Sequence, residues 1–171
     1  MNTPSTATGE QLANALQALG VKFIMGGESE NESLHKQPAR LIAALAESDE
    51  SRLRLSLIPL FMEHPEFAVH LGAVAKNLKP SARLTLQCYY TAAVWFQQKY
   101  RSQLDLLIGK KPSLPDYFSR ELGLKKTNDP ESNLRLLAKR HQALSGAQVN
   151  WLGTYHHAVR VWLKGLELQK A

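Results

Sequence analysis

The stretch Ser81-Ala82-Arg83-Leu84-Thr85-Leu86-Gln87-Cys88-Tyr89-Tyr90-Thr91-Ala92-Ala93-Val94-Trp95-Phe96-Gln97-Gln98-Lys99-Tyr100-Arg101-Ser102-Gln103-Leu104-Asp105-Leu106-Leu107-Ile108 decides the fold of this chain. At helical spacing, Leu84, Cys88, Ala92, Trp95 and Leu106 fall on one side, and Leu86, Tyr89, Ala93, Phe96, Tyr100 and Leu107 on another. A helix apolar on more than one face belongs at the centre of a bundle. The pattern predicts one continuous, largely buried helix over residues 81–108 with the remaining helices packed round it.

Working outward, Pro80 opens this helix and Gly109 ends it. Lys110–Pro115 follows as a basic, stiff linker, and Asp116–Leu122 reads as a short helix stopped by Gly123. Pro130–Leu144 and Val149–Gln169 form a closing helical hairpin across Ser145-Gly146. Upstream, Pro38–Leu78 is helical throughout, with a break at Ser48/Asp49, a kink at Pro59 and a tight junction at Glu63-His64-Pro65-Glu66. Near the N-terminus, Leu12, Ala15, Leu16 and Leu19 line one face of a first helix that Gly20 terminates. Val21–Met25 is β-branched and aromatic and reads as the one short extended segment, closed by Gly26-Gly27. The expected fold is all-α: a single bundle of about seven helices, with residues 1–37 as N-terminal helix, extended segment and polar loop, and 38–171 as the bundle domain.

With 171 residues, such a domain buries about 70% of its extended surface and needs no staples. A mean hydropathy of −0.29 with 44% hydrophobic and 21% charged residues excludes a disordered tail and a membrane-embedded protein. A single cysteine excludes a disulfide framework and a multi-cysteine zinc site; Cys88 reads as a buried thiol. No stretch is long and apolar enough to span a bilayer and Met1–Thr8 lacks a positive n-region, which predicts a cytoplasmic protein without membrane contact.

Charge is unevenly shared. Residues 1–78 hold six Lys/Arg against nine Asp/Glu, a net of −3, while residues 79–171 hold fifteen against six, a net of +9. Either the basic half meets an acidic or polyanionic partner, or the acidic third folds over it and neutralises it.

The last helix carries the main candidate site. Trp151, Leu152, Tyr155, Ala158, Val159, Trp162, Leu163 and Leu166 form a wide apolar arc. Opposite, Gly153, His157, Arg160 and Lys164 share a narrow sector with Asn150 at its edge. A cationic ridge with a glycine that lets a ligand approach backbone can bind phosphates or acidic side chains, although an ordinary solvated face has the same pattern. His156 sits at the edge of the arc as a structural residue, and its neighbour His157 points about 100° away, so the two cannot share a metal. Glu66 and His70 are four apart, which a helix-surface ion pair explains; no metal site and no cofactor are expected.

Two family resemblances bear on function. Leu16-x-x-Leu19-Gly20-Val21-Lys22-Phe23-Ile24-Met25-Gly26-Gly27 resembles the opening helix, strand and Gly-Gly turn of bacterial minimal nucleotidyltransferases. In that family a carboxylate pair on the next strand holds the catalytic magnesium. Here Glu28, Glu30 and Glu32 alternate in a loop without apolar flanks, and no sheet follows, which points to a companion of such an enzyme. The second resemblance is to HEPN domains, helical ribonuclease or partner modules whose motif is Arg, four to six residues, then His. Arg135 and His141 match it and would be the catalytic residues. On a regular helix, however, His141 falls among Leu134, Leu137 and Ala138, with Arg135 about 120° away, a core position for the histidine.

The leading expectation is a non-enzymatic helical interaction or regulatory protein with a protein partner, an antitoxin-like companion of a nucleotidyltransferase being its specific form. The alternatives are a nucleic-acid-binding module using the basic half and a HEPN-like ribonuclease. Val21, Phe23 and Met25 form a candidate docking strand, since an isolated strand leaves backbone groups to be paired at an interface.

Overall fold

The computed structural model describes residues 7–21 and 34–170. They form an all-α bundle: α1 (Gly9–Ala18), a 3-10 turn (Leu34–Lys36), α2 (Pro38–Glu47), α3 (Ser51–Leu55), α4 (Leu57–Glu63), a second 3-10 segment (Pro65–His70), α5 (Leu71–Asn77), α6 (Pro80–Lys99), α7 (Arg101–Ile108), α8 (Pro130–Ser145) and α9 (Trp151–Lys170). Short helices raise the count above the expected seven. The expected kink at Pro59 is one source: a proline ring crowds the carbonyl four residues back, here that of Leu55, and the chain breaks at Ser56 into α3 and α4.

Helix α6 lies at the centre, packed against α8 on one side and α4 on another, with α2, α5 and α9 completing its surround. Residues 86–97 are all buried, an unbroken run that matches the two-sided apolar pattern. Its expected extension to Ile108 is corrected. The helix ends at Lys99, Tyr100 leaves helical geometry at φ −105° and ψ 21°, and α7 begins afresh at Arg101. The residues around the break hold the returning chain: Gln97 donates to the Pro112 carbonyl and accepts from Leu114 N–H, while Arg101 reaches the Lys111 carbonyl and the Ser113 hydroxyl. Beyond the break Leu106 is exposed instead of continuing a buried face.

The segment between α7 and α8 is strapped to the bundle as a loop. Tyr90 donates to the Pro115 carbonyl, Gln87 to Glu121, and Arg140 to the Leu122 carbonyl, while Leu114, Phe118 and Leu122 enter the core. The short helix expected over Asp116–Leu122 is a succession of turns around residues 118–123. Its carbonyl at Leu122 is satisfied by Arg140 of α8, so a helical ladder is not required there.

At the N-terminus, Gly20 adopts φ +81°, and Gly20 and Val21 N–H groups bond back to the Gln17 and Leu16 carbonyls. This paired closure needs a left-handed residue, which only glycine adopts without strain. Thr8 and Gln11 cap the other end of α1 reciprocally. Leu12, Ala15, Leu16 and Val21 join the same core as the bundle helices. The remainder of the expected extended segment, including Phe23 and Met25, and the carboxylates Glu28, Glu30 and Glu32 lie outside the described residues.

Candidate functional site

Helix α9 begins where Asn150 accepts the Gly153 N–H at 3.0 Å, a capping arrangement that satisfies a first-turn donor. This gives Gly153 a structural reason. A Cβ at that position would meet the Asn150 amide nitrogen at 2.7 Å, so the glycine makes room for the cap. Asn150 is likewise occupied in starting the helix. The rest of the ridge is as the helical wheel places it: His157, Arg160 and Lys164 are all exposed, on the side away from the buried Tyr155, Ala158, Val159, Trp162 and Leu163. None of the three forms an ion pair with a described residue.

Among the described residues, the ion pairs stay within each half of the chain. Arg52 pairs with Glu50 and His64 with Glu66, both within the acidic half. Lys99, Arg135 and His156 converge on Glu131, and Lys126 pairs with Asp116, all within the basic half. Among the described residues no ion pair joins the two halves. The basic half spends two of its few carboxylates on its own internal joints, and the ridge receives none from the described residues.

Glu131 was not singled out by sequence reasoning. It stands in the first turn of α8, with Lys99 at 2.7 Å and His156 at 2.9 Å, and so ties α6, α8 and α9 together. Partial burial works against its charge, yet Lys99 and His156 hold its carboxyl below the usual glutamate range. A second missed pair is Trp162, whose indole N–H donates to the buried Glu63 carboxylate at 2.5 Å across 99 residues of sequence. The only local signal was a glutamate directly after the apolar Leu57–Met62 run.

Arg135 and His141 are not brought to a common site. His141 is 2% exposed. Its ring stacks on Trp151 at 3.6 Å between centroids, and its Nδ1 lies 2.6 Å from the Tyr155 hydroxyl. Burial pushes its pKa down to about 4, so it is neutral near pH 7. The Arg135 side chain is 67% exposed and reaches toward Glu131. Tyr89 and Cys88 adjoin this interior, and burial raises both to about 12, leaving Cys88 a thiol without nucleophilic character.

Other candidates are occupied or plain. The Glu66–His70 ion pair is not formed, because the segment is a 3-10 helix in which fourth neighbours point apart. Glu66 instead meets His64 Nδ1 at 3.1 Å, and His64 Nε2 donates to the Leu19 carbonyl that ends α1. Val21 is buried and its N–H is already bonded to Leu16. A polar crevice of about 340 Å³ beside α6 includes Gln98, Asp116, Lys126 and Asn133. Its charged groups are paired with each other, and the Asn133 amide is consumed by Thr127. Among the described residues no three His, Cys, Asp or Glu side chains gather as a metal site. No described helix is long and apolar enough to cross a membrane. No family profile, curated protein or solved structure matches this chain.

Proposed function

We propose that this chain is a non-enzymatic interaction protein whose basic half binds an acidic protein partner through His157, Arg160 and Lys164 on the outer face of α9. The observation that carries the reading is the absence, among the described residues, of any ion pair between the acidic and basic halves. A net of +9 over residues 79–171 therefore remains to act on something outside these residues. Binding is favoured over turnover because the histidine of the Arg135/His141 pair is sealed among aromatic rings while its arginine faces water. The resemblance of residues 16–27 to nucleotidyltransferases supports such an enzyme as the partner class, with this chain as its regulatory companion.

The test uses immobilised heparin as a polyanion. Wild-type protein is expected to stay bound at about 150 mM salt, where exposed charges more than about 8 Å apart are largely screened from each other. The Arg160→Glu/Lys164→Glu variant is expected to elute much earlier with an unchanged circular-dichroism spectrum. Equal retention of the two proteins would contradict the proposal.

A further inference from the structure

The outer face of α9 carries more than charge. Val161 is 38% exposed and Leu168 is 67% exposed, and both share the sector of His157 and Lys164 at 100° per residue. Positions 157, 161, 164 and 168 are spaced four, three and four apart. This is the spacing of a seam that receives a second helix. Arg160 flanks the seam on the side of His156. Single exposed apolar residues are ordinary, but here two of them alternate in register with an unpaired basic row. The seam runs over about 16 Å, three turns, enough to seat one short helix. A surface that met phosphates alone would be served by the cations and would gain nothing from a leucine and a valine between them.

We infer that this seam is the docking site for an acidic amphipathic helix of the partner protein. Its apolar residues, three and four apart, would cover Val161 and Leu168, and flanking carboxylates would meet His157, Arg160 and Lys164. The argument for this occupant is complementarity of charge and of spacing, the mode in which an amphipathic helix lays its apolar face against a receiving surface. The inference rests on the proposed function and names the chemistry of its partner.

The experiment compares three probes at about 150 mM salt. The first is a synthetic helical peptide with leucines at three- and four-residue spacing flanked by glutamates. The second is its scrambled isomer of equal composition and charge, and the third is single-stranded RNA. The patterned peptide is expected to bind at least about tenfold more tightly than the scrambled one, the difference that burying one apolar side chain supplies. Val161→Ser/Leu168→Ser is expected to weaken the patterned peptide about tenfold while leaving heparin elution unchanged. Both positions are exposed, so the fold persists, and the circular-dichroism spectrum checks it. Equal binding of the two peptides, wild-type binding by Val161→Ser/Leu168→Ser, or capture of RNA but not of the patterned peptide would each overturn the inference. In those cases retention on heparin keeps the basic ridge as a binding surface. Loss of heparin retention by the wild type would overturn the proposed function itself.

Discussion

The inner and outer faces of α9 treat polar groups in opposite ways. On the inner face Trp162 finds Glu63, and Tyr155 finds His141; the buried Trp151 indole N–H has no hydrogen-bond partner among the described residues. On the outer face His157, Arg160 and Lys164 point to water without an ion pair among the described residues. The difference has a physical cause. Burial makes an unpaired polar group costly, so the interior recruits partners from distant parts of the chain. Water removes that cost outside, so unpaired charge survives there only at the small expense of mutual repulsion. A histidine in the first setting is a packing residue, while a histidine in the second remains free to meet another molecule.

The largest expected effects lie on the inner face. Trp162→Ala should cost about 3–5 kcal/mol in chemical denaturation, the range for a buried aromatic, and Trp95→Ala should cost as much. Trp162→Phe keeps most of the volume but removes the donor to Glu63, for an expected loss of about 1.5–3 kcal/mol. A loss below about 0.5 kcal/mol for Trp162→Phe would show that the carboxylate does not need the indole.

Next in size is the acid response of the sealed histidine. Burial depresses the folded pKa of His141 to about 4, below the ordinary histidine value of about 6.5. The unfolded chain therefore binds the proton first. Stability from this group is complete above pH 6.5 and declines as pH falls toward 4, by about 3 kcal/mol in total. Urea unfolding across that window checks the slope. The His141→Leu/Tyr155→Phe variant, which removes both polar partners, should abolish this part of the slope.

Glu131→Gln is expected to cost about 1 kcal/mol, since it removes the charge that three basic groups share at a half-exposed joint. Smallest of all, Arg160→Glu/Lys164→Glu should move stability by no more than about 0.5 kcal/mol, as exposed substitutions do. A thermal melt separates these two, and a large loss for the ridge variant would mean that its charges are structural after all.

What could be read from the sequence follows the same division. Local signals were sufficient for α6 up to Phe96, for the α8–α9 hairpin and for the outward sector of α9, because 3.6-residue periodicity reports which face is buried. The break at Tyr100 was not legible. Gln97 to Gln103 is compatible with helix, and the competing demand comes from Pro112, Ser113 and Leu114 farther along the chain. The same holds for Asp116–Leu122, where Arg140 takes over the Leu122 carbonyl. The Asn150 cap facing Gly153 is a local contact that the helical wheel does not carry. Glu63 and Trp162 are too distant in sequence for any pattern to join them. Val161 and Leu168 are not legible as a seam from charge alone, because their apolar side chains interrupt the basic row on the outer face of α9.

The most direct test of the central claim compares two variants of equal charge change on a heparin column. One is Arg160→Glu/Lys164→Glu on the ridge; the other is Lys36→Glu/Arg40→Glu, at exposed positions in the acidic half. If the outer face of α9 is the binding surface, the ridge variant elutes at far lower salt while the Lys36/Arg40 variant elutes close to wild type. Equal displacement of both variants would mean that only net charge is read, and would contradict the assignment of binding to α9.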